Sequence, residues 1–232
     1  KMITSHYPYL ENPEPQYVFL YDLLKRSESH VVSLSDRIKK EFVARGIDST
    51  NVSVLPCGID TDLYTLDETD VLYPDRSIVV GKIEPRKRQA FLQHKDLNID
   101  FIGNNTDSSF DELDPHYLGE QSKQDIMDNL TAYASMVLLS SGEAHPFVCL
   151  EGMAAGLGLV LSEQSTANLD ISQPFITVIP DDKLDDTTYL NQKIKENRKI
   201  SLTMRKDIRK YCLDNFDWSS IIKQYKSIID NI

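Results

Sequence analysis

The 232 residues contain no C-x-x-C pair, and their three cysteines, Cys57, Cys149 and Cys212, are odd in number and far apart. A disulfide framework and a zinc site are therefore not indicated; three reduced, buried thiols in a cytoplasmic protein are the expectation. The five histidines show no ligand spacing. Positive charge is scarce as well: 25 Lys and Arg stand against 36 Asp and Glu, a formal net charge of −11. Such a surface excludes a nucleic-acid backbone as a general partner, and a polyanion can be held only in a local basic pocket. No apolar run approaches the ~18 residues of a membrane span, and no signal peptide is visible. What is present, 41% hydrophobic and 26% charged residues, suits one large globular domain or two modest ones.

Short apolar runs alternate with helical stretches. "HVVSLS" (30–35), "VSVLP" (52–56), "SIVVGKI" (77–83), "NIDFIG" (98–103), "SMVLLSS" (135–141), "GLVLSE" (158–163) and "FITVIP" (175–180) read as strands. They are continuous rather than alternating, as parallel sheets covered on both faces require. In "SDRIKKEFVARG", Ser35 is a candidate N-cap, Ile38, Phe42 and Val43 form the apolar side, and Gly46 is the stop. "SKQDIMDNLTAYAS" opens on Ser122, with Ile126, Met127, Leu130 and Tyr133 at helical spacing. The class is α/β with parallel sheets. "DTDLYTLDETDVLYPDRS" (60–77) is acidic and aperiodic, and reads as the link between two sheet units. The last segment, "DNFDWSSIIKQYKSIIDNI", is an amphipathic helix capped by Asp217, with Ile221, Ile222, Tyr225, Ile228 and Ile229 as its stripe. The expected divisions are 1–65, 76–212 and a C-terminal helix, 213–232, that packs back toward the first.

Two stretches can carry chemistry. In "VVGKIEPRKRQAF" a strand ends at Gly81, and Lys82, Arg86, Lys87 and Arg88 follow at once. Ligands of open α/β sheets bind beyond the carboxyl ends of strands, and lysine is a good point-charge partner for phosphate; a solvated basic loop is the plain alternative. In "GEAHPFVCLEGMAAGLGLVLSE", Glu143 and Glu151 stand eight positions apart around a loop and helix start. Free N–H groups and the positive dipole end at Gly142–Val148 could receive a phosphate. Glu143 would lie at the cleft and Glu151 one to two turns into the helix, facing the same cleft, both able to accept from sugar hydroxyls. The plain alternative is a helix-start charge and a surface glutamate. His145 faces either cleft or solvent.

The order of "SLSDRIKKEF", "VSVLPCGIDTDLY", "VVGKIEPRK", "YLGEQSKQDIMDNLTAYASMVLLSSGEAHPFVCLEGMAAGLGLVLSE" and "NFDWSSIIKQY" resembles glycosyltransferase family 4, the retaining GT-B group (glycosyl transferases group 1). The likeness runs from Thr4 over nearly the whole chain. Residues 143–151 look like that family's E-x7-E motif, "EGMAAGLG" like its small-residue stretch, "LPCGID" like "I-P-N-G-V-D", and "GKIEPRK" like "G-R-L-x-x-x-K". The resemblance implies that Lys82 and Lys87 contact the donor diphosphate. Glu151 would bind the ribose and Glu143 would lie near the transferred sugar, with Phe147 and Val148 offering backbone amides to the distal phosphate and sugar. His6, in "TSH", would approach the reacting carbon, and Gly58 would form the interdomain turn. Glu143, Lys87 and His6 are the catalytic candidates. The "DTD" at 60–62 continues that turn, so no metal is expected.

The chain also departs from the pattern. Pro146 stands where Gly is usual, removing one N–H from the phosphate cradle; Cys57 replaces Asn, Lys82 replaces Arg, and Gly158 replaces Pro. GT-B enzymes have two Rossmann-like domains, and this chain carries only the tail of the first, from about His6 to Tyr64. It opens on Lys rather than Met, and a missing N-terminal segment, a partner chain or an unusually small relative are the expectations. The implied activity is metal-independent retaining transfer of a hexose-type sugar from a UDP- or GDP-linked donor to a glycan acceptor, in polysaccharide biosynthesis. No cofactor is expected, and a nucleic-acid acceptor is disfavoured by the charge. A donor-binding or regulatory half-enzyme and a nucleotide-sugar epimerase are the alternatives.

Overall fold

The computed structural model describes residues 1–5, 15–27, 29–69 and 71–232. Two parallel sheets organise them. The smaller has the order β1 (Met2–Ser5), β2 (His30–Ser33), β3 (Val52–Val54), with α1 (Pro15–Arg26) and α2 (Asp36–Ala44) as crossovers. The larger has the order β5-β4-β6-β7-β8, built from β4 (Tyr73–Val80), β5 (Ile99–Ile102), β6 (Tyr133–Leu138), β7 (Gly158–Ser162) and β8 (Ile176–Ile179). Chain order reverses between β4 and β6, so the crevice of this sheet opens at their carboxyl ends.

The continuous apolar runs follow from burial on both faces. Met136 and Leu138 of β6 join one core cluster, while Val137 and, just past the strand's end, Leu139 join the other. The first cluster includes Cys149, Leu150 and Met153 of α5 (Phe147–Ala154) and Ile208, Cys212 and Phe216 of α6 (Thr187–Phe216). The second takes Leu92 of α3 (Gln89–Gln93) and Leu190 and Ile194 from the start of α6. Each of the seven runs read as strands overlaps one, β2 to β8, although β4 and β6 begin and end before the runs read for them.

Some local expectations are corrected. The stretch 60–77 is not all link: β4 begins at Tyr73, and Thr61–Leu63 form a short 3-10 turn. The helix opening at Ser122 is α4 (Lys123–Asn129), and Leu130 and Tyr133 lie beyond it, in a 3-10 turn and at the start of β6. Val43 is exposed, while Ile38 and Phe42 are buried. Cys57 is only half-buried. α1 and α6 were not anticipated.

α6 runs past residue 212 to Phe216, and the chain turns at Asp217, which caps α7 (Trp218–Asp230) by accepting from the Ser219 N–H at 2.9 Å. α7 lays Ile221, with Tyr225 and Ile228, against Val32 and Leu55 of the smaller sheet unit. Ile222 and Ile229, 60% and 50% exposed, face away, so the expected five-residue stripe divides. Gly58 lies under this turn: a β-carbon there would stand 2.6 Å from the Trp218 ring. At the crossing between the sheets, close approach rather than backbone angle demands glycine.

Candidate functional site

The loops after β4 and β6 meet at the switch point. The Ser141 N–H donates to the Arg86 carbonyl at 2.8 Å, and the Arg88 guanidinium donates to the Leu139 carbonyl at 3.1 Å. These bonds fix the basic loop against the loop carrying Glu143. Arg86 is the fastener: Nη1 donates to Ser140 Oγ (3.1 Å), to the Gly142 carbonyl and to Glu143 Oε1 (3.0 Å), and Nη2 reaches Glu84 Oε1 (2.7 Å). Glu143 is thereby held, its side chain 15% exposed, and its N–H is tied to the Gln164 carbonyl.

Lys87 ends the short turn Pro85–Lys87 and folds back over the end of β4. A β-carbon on Gly81, whose φ is +133°, would meet Lys87 Nζ at 2.8 Å, so glycine makes room for the ammonium. Lys82 is exposed and belongs to the wall of a cavity of about 310 Å³ at the carboxyl ends of β4 and β5, with Gly103, Asn104 and Glu120.

Glu151 is held differently from Glu143. Its Oε1 accepts from the Tyr64 hydroxyl at 2.9 Å. Burial pushes the Glu151 carboxyl above its ordinary range, against the pull of the Tyr64 bond and the Lys123 and Lys87 charges. The buried Cys149 thiol lies among the same groups: burial pushes it up, Glu143 and Glu151 add to that, and Lys87 opposes it. Glu143, Glu151 and Lys87 thus share one neighbourhood at the head of α5.

At that head the amides are unequal. Pro146, the N-cap, has none; the Phe147 N–H donates to the His145 carbonyl at 2.8 Å and the Cys149 N–H to the Pro146 carbonyl at 2.9 Å. The Val148 N–H has no acceptor among the described residues. Of the two amides assigned to the donor, that of Phe147 is already engaged, and its ring is 39% exposed. His145 is buried, not cleft-facing or solvated. Its Nδ1 accepts from Asn168 Nδ2 (3.0 Å), which also donates to the Leu34 carbonyl (2.6 Å), linking the loop to the smaller sheet unit. Desolvation lowers its pKa to about 4, with the Cys57 and Ala167 carbonyls opposing, so the ring is neutral near pH 7.

His6 lies outside the described residues. "DTD" is a capping device: Asp60 Oδ1 accepts from the Asp62 N–H at 3.1 Å. Among the described residues no group of three or more His, Cys, Asp or Glu is placed to hold a metal, and no helix is long and apolar enough to cross a membrane. No spacing in the sequence singles out Tyr64 or Lys123, whose nearness to Glu151 depends on chain crossings rather than on one element.

No known protein-family model matches the sequence, nor does any curated protein. Solved structures do resemble it. HepE of Anabaena, solved in complex with UDP-glucose, superposes with a TM-score of 0.77 at 17% identity, over 100% of this chain and 72% of that one. Sucrose-phosphate synthase of Thermosynechococcus elongatus gives 0.73 at 15%, over 99% of this chain and 67% of that one. The pneumococcal O-GlcNAc transferase GtfA, in complex with UDP and GlcNAc, gives 0.71 at 15%, over 99% and 52%. What is shared at these identities is the fold: an α/β chain with the Rossmann-type parallel sheets of GT-B glycosyltransferases.

Proposed function

We propose that this chain is a metal-independent retaining glycosyltransferase that moves a sugar from a nucleotide-sugar donor to a glycan-type acceptor. The observation that carries the reading is the gathering of Lys87, Glu143, Glu151 and the open Val148 amide at the switch point between β4 and β6. Support comes also from structural neighbours solved with UDP-glucose, or with UDP and GlcNAc.

In this reading the nucleotide lies across the carboxyl ends of β4 and β5, with its ribose at Glu151. The diphosphate lies between Lys82, Lys87 and the Val148 amide, and the sugar lies toward Glu143. The bond between the sugar's anomeric carbon and the diphosphate breaks with its electron pair leaving on the phosphate oxygen. Lys87 offsets the charge that develops there, as a preorganised cation. The acceptor hydroxyl then bonds to the anomeric carbon on the face the diphosphate left and gives up its proton to the departing phosphate oxygen. Glu143, already paired with Arg86, orients sugar hydroxyls rather than taking a proton. Family 4 membership, action on hexosyl donors in polysaccharide synthesis, and a cytoplasmic location belong to the same proposal. Gly58 serves it indirectly, through the Trp218 contact.

A second reading, a donor-binding half-enzyme that needs another segment or chain, is favoured by the 71–72% of HepE that this chain spans. A thermal-shift panel of UDP-, GDP- and ADP-sugars tests both, since a true donor stabilises by mass action. Stabilisation with sugar transfer or donor hydrolysis supports the enzyme, and stabilisation without either supports the half-enzyme. No stabilisation by any nucleotide sugar overturns both.

A further inference from the structure

The two glutamates of the site are held by unlike partners, and the partner of Glu151 comes from far along the chain. Tyr64 closes the turn after Gly58, and its side chain is 3% exposed. Its own position is fixed from both ends. The Tyr64 N–H donates to the Thr61 carbonyl at 3.3 Å, and the Tyr64 carbonyl accepts from Arg209 Nη1 at 2.6 Å. The same guanidinium donates to the Thr61 carbonyl (2.8 Å) and to the carbonyl of Ala154 (2.9 Å), the last residue of α5. One arginine of α6 therefore clamps the Tyr64 turn to the helix that carries Glu151. Thr61 adds a bond to Asp217 Oδ2 at 3.1 Å, tying the turn to the α6–α7 junction.

The consequence falls on one carboxylate. Oε1 of Glu151 is occupied by the Tyr64 hydroxyl, whereas Oε2 has no donor among the described residues. Burial and the Glu151 charge push the phenol well above its ordinary range, so it remains a protonated donor. A carboxylate with one oxygen pinned is preorganised: the free oxygen is aimed before ligand arrives, and less rotamer freedom is lost on binding.

We infer that Tyr64 is a positioning residue for ribose recognition, fixing one oxygen of Glu151 so that the other meets the vicinal diol of a nucleoside diphosphate. This rests on the assignment of Glu151 to the ribose. Tyr64 does not touch the reacting atoms; it selects ribonucleotides over analogues lacking the diol.

Calorimetry with whichever of UDP, GDP or ADP binds the wild-type chain most tightly, and with its 2′,3′-dideoxy counterpart, tests this. Tyr64→Phe is expected to weaken the ribonucleotide about tenfold, the size of a lost bond to a charged group. It is expected to leave the dideoxy affinity within about twofold. The pH at which ribonucleotide affinity falls on the acid side should also rise in Tyr64→Phe, because the lost bond favoured the ionised carboxylate. An equal loss for both nucleotides, with a lowered Tm, would reduce Tyr64 to a packing role; no loss for either would also overturn the inference. Glu151→Gln separates the levels. If it abolishes the preference for the diol and Tyr64→Phe leaves that preference unchanged, the ribose assignment stands and the inference falls. If neither changes the preference, or if the wild-type chain binds no nucleoside diphosphate, both fall.

Discussion

The two ends of the larger sheet use charge in opposite ways. At the amino end the buried charged groups, Asp100, Arg198 and Arg205, are consumed. Asp100, 2% exposed on β5, accepts from Tyr133 (3.0 Å), from Arg76 (3.2 Å) and through a 2.6 Å contact with His116 Nδ1. Arg205 donates to the carbonyls of Asp67, Thr131, Tyr133 and Ala155, and Arg198 to Ser77 Oγ and the carbonyls of Leu97 and Asn98. At the carboxyl end, capacity is left over: Lys82 is exposed, and among the described residues Glu151 keeps an oxygen without a donor and Val148 an N–H without an acceptor. A cavity of about 500 Å³ beside Arg198 exceeds that of about 310 Å³ beside Lys82, so size does not mark the site. What sets the proposed site apart is spare capacity on charged groups, because a buried charge whose hydrogen bonds are satisfied stabilises and has little left to bind with.

That contrast can be broken or sharpened by substitution. The largest expected effect is on turnover: Lys87→Ala should raise the barrier by about 2–4 kcal/mol, by analogy with removing one oxyanion donor, with little change in Tm. Arg205→Met should do the reverse. Stranding several buried carbonyls should cost about 3 kcal/mol of stability by denaturant unfolding, while nucleotide affinity stays unchanged.

His145 gives a pH test of a site-end group that is locked. Its folded pKa is lowered from 6.5 to about 4, so the unfolded chain binds the extra proton between those values. Stability should therefore be fully present above pH 6.5 and fall as pH drops toward 4, by up to about 3 kcal/mol, a loss that His145→Gln should flatten. Glu151→Gln should weaken nucleotide binding by about 1–3 kcal/mol in calorimetry. Since burial raises the Glu151 pKa, its folded-state contribution is fully present only at low pH and is lost as pH rises. The same substitution should therefore raise the Tm of the free protein at pH 7. Lys82→Arg should change kcat/KM least, by less than about 0.5 kcal/mol, since it keeps an exposed charge.

What was legible in the sequence follows from how local each signal is. A parallel strand buried on both faces leaves an uninterrupted apolar run, so β2 to β8 could be read from runs of five to seven residues each. The caps at Ser35, Ser122 and Asp217 were legible because the capping oxygen bonds within three residues. α6 was not, because Arg198, Arg205 and Arg209 occupy its inner face and satisfy carbonyls far along the chain. Such a helix reads as polar although it is core. Likewise, Glu143 and Glu151 share one stretch and could be paired by eye, whereas Tyr64 stands 87 residues before its carboxylate. The spent Phe147 amide depends on a turn at His145 that Pro146 reshapes, and no pattern announces it.

The central claim is that fixed cations and a helix start at the β4–β6 switch point hold a nucleotide diphosphate without a metal. Titration calorimetry of the wild-type chain with UDP and GDP, in EDTA and then in manganese or magnesium, tests it directly. The account predicts that the preferred nucleotide binds in EDTA with an affinity the metal does not improve, and that Lys87→Ala abolishes this binding while the protein stays folded. Binding that appears only with the divalent ion, and survives in Lys87→Ala, would contradict it.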